Sequence, residues 1–261
     1  MLYSLNVDST DNHRGPVISR LTAASELREL VLENLSFFDP FLKHFIREAL
    51  LTDGEVYIAR DDRGTVSGAF LYDSEEKAGS IFTRSREVFD AFSGLKNRMV
   101  CFSEVGAELR KEIFHVYTVN LENYRFAHRF NHEIYVAEDG DLPEISSMMR
   151  DTYRNLNTKW IDVAFGEGDR CFVARINDRV AGVAWLSHIN GAGRLHSLVV
   201  SHQYRRLGIG TDLLFARLLW LKGAGARYAF SEIADHNTLS IRIAGTAGMQ
   251  PAVEMYQYVR G

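Results

Sequence analysis

Two stretches of the chain share one pattern, and this internal similarity limits the folds that the sequence can adopt. They are VYIARDDRGTVSGAFLY, residues 56–72, and CFVARINDRVAGVAWLS, residues 171–187. With one residue of gap, both contain an Ala-Arg pair and then a Val-x-Gly step. Each reads as a strand, a polar turn and a second strand, and each is followed by another strand-like run, at residues 80–83 and 194–200. We therefore predict two related α/β halves with a boundary near Asn131.

The second half has the clearer order of predicted elements. Asp141 and Glu144 have the spacing of a capping box, and an apolar helical face follows, formed by Leu142, Ile145, Met148 and Met149. Around the hairpin we predict strands at residues 132–139, 194–200, 228–233 and 254–259, and helices from Ile209 and at residues 239–247. A hairpin followed by strand, helix and strand predicts an α/β domain with a partly antiparallel sheet.

Composition excludes several classes of partner. The net charge of -4 provides no basic field, so we expect neither nucleic acid nor an anionic membrane as a partner. Cys101 and Cys171 lie in apolar strand-like runs, which favours buried free thiols in a reducing compartment. The sequence shows no signal peptide and no apolar stretch long enough for a bilayer, so we expect a cytoplasmic protein. His196 and His202 have no third ligand at a useful spacing, so no metal is expected.

The stretch SLVVSHQYRRLGIGTDLL, residues 197–214, places a basic turn with two glycines between a strand and a helix. A helix N-terminus has unpaired N–H groups and partial positive charge, and glycine lets a phosphate approach these groups closely. Arg205 and Arg206 add forked cationic donors. The turn therefore suits a diphosphate, although glycines can also simply join a strand to a helix. A dinucleotide fingerprint is excluded because Leu213 stands where its third glycine belongs, and no lysine follows to form a P-loop.

The string LVVSHQYRRLGIGTDLL resembles the acyl-CoA binding motif of the GNAT superfamily of N-acyltransferases, with Arg205, Gly208 and Gly210 at its Arg/Gln-x-x-Gly-x-Gly/Ala positions. Residues 237–240 and 247–249 resemble the family's Asn-x-x-Ala/Ser and Gly-Phe segment. The resemblance covers roughly residues 132–261.

The resemblance implies acetyl-CoA as co-substrate, with its pyrophosphate on the turn at residues 203–211. The pantetheine arm would lie beside the strand that precedes the turn, where this strand and the next splay apart. The implied cofactor-binding residues are Leu198, Val199, Val200, Gln203, Arg205, Arg206, Leu207, Gly208, Ile209, Gly210, Thr211, Asn237 and Ser240, of which Ser240 is the weaker match.

The implied reaction is direct transfer of an acyl group, most simply acetyl, to a primary amine of a small molecule or peptide. The amine must lose a proton before it attacks, so the site needs a base, for which His196 is the first candidate. Glu232 on the neighbouring strand is the second candidate, although it could instead form a salt bridge. The backbone N–H of Val199 or Val200 would stabilise the negative charge on the thioester oxygen.

One position departs from the family pattern. The Tyr that often serves as the acid corresponds to Ala244, so thiolate either leaves without that acid or uses another residue. Tyr256 and Tyr258 are alternatives, although both also suit core packing. This departure leaves open a non-catalytic acyl-CoA sensor or interaction protein as the second functional hypothesis.

The first half has no Gly-x-Gly after its hairpin. We interpret residues 1–131 as a degenerate GNAT-like domain without the CoA motif, and residues 132–261 as the acyl-CoA-binding domain. The predicted fold is thus two tandem GNAT-like α/β domains, each with a mixed, largely antiparallel sheet flanked by helices. A predicted helix at residues 43–51, with Phe37, Phe38, Phe41 and Phe45, would pack as core at the domain interface or line a substrate cleft.

Overall fold

The computed structural model describes residues 16–21, 54–73, 78–83, 85–93, 98–101, 110–153, 159–166, 168–189 and 191–259. The chain divides into two compact units. One comprises Met1–Phe114 with Glu254–Gly261, and the other comprises His115–Val253. The predicted helix at residues 43–51 and the four nearby phenylalanines lie outside the described residues.

The first unit contains a four-stranded sheet in the order β1-β2-β3-β4, in which all neighbours are antiparallel. Its elements are β1 (Val17–Leu21), β2 (Glu55–Arg60), β3 (Val66–Asp73), β4 (Ala78–Thr83), helix α1 (Arg86–Ser93) and β5 (Arg98–Cys101). The buried side of α1 packs on Phe70 and Ile81 of the sheet. β5 pairs with the end of β12 (Gln250–Val259), where Cys101 lies opposite Tyr256.

The two predicted hairpins are present and have matching registers. The first is β2–β3, and the second consists of β8 (Arg170–Ile176) and β9 (Arg179–Ile189). In both, the register shifts between the Ala and the Arg of the shared pair. The matching pairs are Ala59↔Gly68 and Arg60↔Val66 in the first hairpin, and Ala174↔Gly182 and Arg175↔Val180 in the second.

The glycine of each hairpin lies beneath the start of the helix that follows. A Cβ added at Gly68 would lie 2.7 Å from Val88 Cγ1 of α1, and one added at Gly182 would lie 2.9 Å from Ile209 Cγ2. Both distances are too short for a real Cβ, so helix and sheet approach closely only because the residue is glycine. The sequence similarity therefore corresponds to the same local packing in both halves.

The second unit contains strands in the order β6-β11-β10-β9-β8-β7. The pairs β7–β8, β8–β9 and β9–β10 are antiparallel, and β10–β11 is parallel. The remaining elements are β6 (Arg110–Asn120), β7 (Ile134–Val136), α2 (Leu142–Thr152), α3 (Lys159–Gly166), β10 (Ala192–Val200), α4 (Ile209–Gly223), β11 (Tyr228–Ala234) and α5 (Thr238–Thr246).

Helices cover both faces of this sheet. Alternate residues of β8 enter two different apolar clusters, because successive side chains of a strand point to opposite faces. Phe172 packs with residues of α4 and α5, whereas Cys171 and Val173 pack with residues of α2 and α3. The Cys171 thiol is fully buried, as predicted, and burial raises its pKa. No described helix has the length and apolar character needed to cross a membrane.

The start of α2 differs from the sequence prediction in one detail. Asp141 is the N-cap residue, but it forms no side-chain cap hydrogen bond, so the predicted capping box with Glu144 is wrong. Glu144 instead accepts from Val180 N at 2.8 Å and from Arg175 at 2.9 Å. The hairpin β8–β9 offers a backbone donor and a cation there, and these replace the local cap.

The two compact units do not coincide with the two halves predicted from the sequence. Residues 115–131 belong to the second unit, and residues 254–261 belong to the first. The division into domains at residues 1–131 and 132–261 stays a prediction about how the two halves are related.

Candidate active site

The predicted phosphate turn lies between β10 and α4. A short 3₁₀ helix, His202–Tyr204, follows β10, and the chain then adopts two left-handed conformations, at Arg206 with φ 64° and at Gly208 with φ 88°. Gly208 is the N-cap residue of α4, and no side chain in the described part of the chain caps this helix end. A left-handed residue at this point favours glycine, so Gly208 is explained by backbone conformation.

The turn leaves backbone donors at the start of α4. The N–H groups of Thr211 and Asp212 both donate to Gly208 O at 3.0 Å, whereas the N–H groups of Ile209 and Gly210 precede the first intrahelical acceptor. Arg205 is exposed, and its Nε donates to Val200 O at 3.2 Å. Gln203, Arg206 and Leu207 are also exposed, and Ile209 is buried. Within the described ranges the N–H groups of Ile209 and Gly210 have no hydrogen-bond acceptor, so the turn combines free backbone donors with two arginines.

Gly210 is buried at a close contact between α4, β10 and α5. An added Cβ would lie 3.2 Å from Ile243 Cδ1, 3.6 Å from Leu198 Cδ2 and 3.8 Å from Val200 Cγ2. The absence of a side chain lets the N-terminus of α4 approach the predicted pantetheine strand. Close packing therefore explains why residue 210 is glycine, in addition to the phosphate approach that the sequence suggested.

β10 carries a β-bulge just before the turn. His196 lies opposite Trp185 of β9 and Val199 lies opposite Val183, so two residues of β10 face one residue of β9. Ser197, inside the bulge, has φ 49°. A bulge of this kind adds one residue to the strand and shifts the alternation of its backbone groups.

β10 and β11 separate at the bulge. Their parallel ladder comprises three pairs, from Ala192 opposite Tyr228 to Arg194 opposite Phe230. Over the described length of both strands no pair follows, although β10 continues to Val200 and β11 to Ala234. The gap begins beside the bulge and ends beside the glycine turn. This is the splayed arrangement that the resemblance implies.

The two candidate bases lie near the point where the strands separate. His196 and Arg194 are two residues apart in a regular part of β10, so their side chains share one face of the sheet. His196 Nδ1 lies 3.1 Å from Ser197 Oγ. Glu232 of β11 accepts from Arg194 Nε at 3.3 Å, and both side chains are largely buried. Glu232 thus forms the salt bridge that the sequence analysis kept as its alternative role.

The candidate residues of α5 and β12 lie in different environments. Asn237 is the N-cap residue of α5, and its Oδ1 accepts from Ser240 N at 3.2 Å. Ala244 is 3% exposed and packs in the core with α4. Tyr256 packs in the first unit's cluster with Phe70, which supports its core-packing role. For Tyr258 the structure describes the backbone alone.

Two buried charged residues of α4 were not singled out from the sequence. Arg217 is 2% exposed and donates to backbone carbonyls of β9 and β10. Its sequence signal was available, because Arg217 is four residues from both Leu213 and Leu221 and therefore shares their buried helix face. Asp212 in the first turn is fully buried.

Asp212 binds the segment that leads into β7. Its two oxygens accept from His128 Nε2 at 2.6 Å, His132 Nδ1 at 2.7 Å, Asn131 N at 3.1 Å and His132 N at 3.0 Å. The His128 ring also stacks on Phe215 with centroids 4.1 Å apart. These contacts fix the start of α4, and with it the glycine turn, to residues 128–132.

The first half has no equivalent turn. β4 ends at Thr83 and α1 begins at Arg86, whereas residues 201–208 separate β10 from α4. Ser85 Oγ accepts from Val88 N at 3.3 Å, so a side chain caps the start of α1. This helix start therefore lacks both the glycine turn and the uncapped N-terminus found at α4.

Comparison with known proteins supports the same assignment. Residues 132–249 match the family model described as "Acetyltransferase (GNAT) family". A curated relative, the uncharacterized N-acetyltransferase YobR of Bacillus subtilis (strain 168), is 25% identical over 83 residues. That match covers 32% of this chain and 34% of YobR, about a third of either protein.

Solved structures extend the likeness of fold to nearly the whole chain. A GNAT-family acetyltransferase from Colwellia psychrerythraea aligns with TM-score 0.65 and 11% identity, covering 94% of this chain and 99% of that chain. A tandem GNAT protein from the clavulanic acid biosynthesis pathway aligns with TM-score 0.59 and 14% identity over the same shares. The predicted fold, a tandem GNAT-like α/β architecture with antiparallel sheets flanked by helices, is confirmed.

Proposed function

Since residues 132–249 are a GNAT acetyltransferase domain, we propose that this protein transfers an acetyl group from acetyl-CoA to a primary amine of a small molecule or peptide. The proposal rests on the position of the gap between β10 and β11. The gap between β10 and β11 begins at the bulge beside His196 and ends beside the glycine turn at the start of α4. A phosphate-binding turn and a slot for an extended arm are thus continuous.

The turn fits the diphosphate of acetyl-CoA. The N–H groups of Ile209 and Gly210 are available at a helix N-terminus, where partial positive charge favours an anion. Arg205 and Arg206 lie on the exposed side of the same turn and supply two fixed positive charges. Asn237 suits the pantetheine arm, because its Nδ2 has no hydrogen-bond partner among the described residues while its Oδ1 caps α5.

The bulge supplies a backbone donor for the thioester oxygen. Ser201 N donates to Ala181 O at 2.9 Å, and Val200 lies opposite Gly182. Hydrogen-bonded and non-hydrogen-bonded pairs alternate in an antiparallel ladder, so the N–H of Val200 points away from β9 and towards the gap. Of the two donors expected from the sequence, Val200 is therefore the better placed, and its N–H stabilises negative charge on the thioester oxygen.

His196 is the proposed base. An amine with a pKa near ~10 is mostly protonated at neutral pH, so the site must accept a proton before the amine attacks. Imidazole is suited to this because it exchanges protons near neutral pH. Glu232 is the second candidate, but its ion pair with Arg194 favours a role in orienting the site around His196.

The departing thiolate receives no proton from α5 in this proposal. Ala244 occupies the position of the expected Tyr, and its methyl group packs in the core. The ammonium group loses two protons in the reaction. His196 accepts the first before the attack and passes it to bulk water. The second leaves the nitrogen after the attack and reaches the thiolate through His196 or water, so a second acid is not required.

The experiment is a turnover assay with purified protein, acetyl-CoA and a panel of small amines and peptides. Acetylated product is detected by mass spectrometry, and free CoA is measured against reactions without an amine. We expect acceptor-dependent CoA release that equals the product formed. Binding of acetyl-CoA without turnover across the panel would support the second candidate, a non-catalytic acyl-CoA sensor, which the buried Ala244 favours.

A further inference from the structure

Arg217 reaches from α4 into the sheet at the bulge of β10. Its Nη1 donates to Trp185 O at 2.8 Å and to His196 O at 3.3 Å, and its Nε donates to Leu213 O at 3.2 Å. The side chain is almost completely buried. One guanidinium group therefore connects the helix of the glycine turn with both strands of the bulged ladder.

Among the residues that the structure describes, the Arg217 guanidinium has only neutral hydrogen-bond partners. Among the described residues no carboxylate forms an ion pair with Arg217, and burial lowers the pKa of its guanidinium because the charged form loses hydration. A buried charge is costly unless hydrogen bonds compensate for its lost hydration, and here backbone carbonyls provide all of them. An apolar residue would fill the same core position at a lower cost in free energy. A role in the neighbouring site would explain why a charged residue occupies this buried position despite its cost in free energy.

The two strand carbonyls belong to the last regular pair before the bulge. Trp185 and His196 lie directly opposite each other, and the extra residue of β10 follows at once. A bulge interrupts the ladder and leaves backbone groups without their regular partners. Arg217 Nη1 donates to both carbonyls of this pair, so it occupies the point where the ladder opens.

The bulge also decides which way the next N–H groups point. Without the extra residue, Val200 would lie opposite Ala181 and its N–H would donate to β9. With it, Ser201 takes that position and the N–H of Val200 turns to the gap. A residue that stabilises the bulge therefore controls the donor that the proposed reaction uses.

We propose that Arg217 is a positioning residue for acetyl transfer, which holds the β10 bulge and thereby aims the Val200 N–H at the thioester oxygen. The inference rests on the proposed function, since it assigns Arg217 to that same site. It predicts that the carbonyl group of bound acetyl-CoA is polarised in the native protein, and that this polarisation depends on Arg217.

The test is the infrared C=O stretch of acetyl-CoA labelled with ¹³C at the acetyl carbonyl, bound to native protein and to Arg217→Met. Native protein should shift the stretch to lower frequency, and Arg217→Met should lose at least about half of this shift, as expected when an oriented donor is lost. Affinity for acetyl-CoA should fall, because the donor to its carbonyl group is lost, while affinity for free CoA stays within about twofold, because the turn is unchanged.

Lys222→Met is the matched control. Lys222 lies on the same helix and also donates to a backbone carbonyl, that of Tyr124, but it is remote from the bulge. The substitution Lys222→Met removes a cation and a carbonyl contact from α4, and it should leave the infrared shift of the bound acetyl group unchanged. Equal shifts in native protein and Arg217→Met would overturn the inference alone.

Two further outcomes are informative. If Arg217→Met does not fold, Arg217→Gln replaces it, because Gln keeps a polar amide but is too short to reach both strand carbonyls; an undiminished shift in this variant would overturn the inference. If native protein binds no acetyl-CoA, the proposed function itself is overturned, and the inference with it.

Discussion

Gly210 is a single residue that affects both the packing of α4 and the proposed binding of phosphate at its N-terminus. A side chain at this position must displace Ile243 or Leu198, or turn outward over the N–H groups of the glycine turn. We predict that Gly210→Gln weakens acetyl-CoA binding at least about tenfold, since a bulky group then blocks the close approach of phosphate to the helix N-terminus. Calorimetric titration of the folded variant measures this.

Gly223→Gln is the control for that substitution. Gly223 is the last residue of the same helix, and a Cβ added there would meet nothing within 4 Å. The affinity of Gly223→Gln for acetyl-CoA should equal that of native protein. An unchanged affinity in Gly210→Gln as well would contradict the assignment of the turn.

The prediction about catalysis concerns His196, the proposed base. His196→Ala should lower kcat about 100-fold and remove the acid limb of its pH profile, because the base that must be unprotonated is gone. Affinity for acetyl-CoA should stay nearly the same. His236→Ala removes an exposed imidazole from the loop after β11 and serves as control. If kcat and its pH profile are unaltered in His196→Ala, the base is elsewhere, and Glu232→Gln is the next variant to test.

The sequence predicted those site residues whose role depends on the local chain. Gly208 was identified from the Gly-x-Gly turn between strand and helix, which lets a phosphate approach and resembles the acyl-CoA motif; the structure adds that its φ is left-handed. Arg217 and Asp212 were missed because their roles depend on which elements pack against α4, namely β9, β10 and residues 128–132. Glu232 lies on the strand beside that of His196, as the element order predicted, but its ion pair with Arg194 depends on the register of β10 with β11.

At the scale of elements, Asp212 anchors α4. Asp212→Asn keeps the size of the side chain but replaces one accepting oxygen with an amide that competes with the donors of His128 and His132. We predict a loss of about 1.5–3 kcal/mol in the free energy of unfolding, the range for hydrogen bonds to a charged group. Urea denaturation measures it.

Asp235→Asn is the comparison for Asp212→Asn. Asp235 is exposed and lies 3.5 Å from His236, a contact that surface solvation makes weak. Its free energy of unfolding should stay within about 0.5 kcal/mol of the native value. Equal stability of the two variants would show that Asp212 does not anchor the helix.

Element types and order were predictable where periodicity is strong. The strand expected at residues 228–233 is β11 (Tyr228–Ala234), and the helix expected at residues 239–247 is α5 (Thr238–Thr246). The capping box of α2 failed for a tertiary reason, since Val180 and Arg175 of the hairpin compete for the Glu144 carboxylate. The bulge at Ser197 has no local sequence signal such as glycine, so the sequence did not reveal it.

At the scale of the whole molecule, the two halves share a hairpin but differ at the next connection. The first half joins β4 to α1 directly and caps the helix with Ser85, whereas the second inserts residues 201–208. The compact units were not predictable, because β6 and β12 each have ends in different units and strand periodicity does not change along them. We therefore predict that the two halves differ in acetyl-CoA binding because they differ at this connection.

We expect the glycine turn of the second half to bind acetyl-CoA and the first half not to bind it. Calorimetric titration of the intact protein with acetyl-CoA, and separately with free CoA, measures this. We predict micromolar binding of one acetyl-CoA per chain, weakened at least about tenfold in Gly210→Gln and retained in Gly223→Gln. No binding at millimolar acetyl-CoA, or two equivalent sites per chain, would contradict the account.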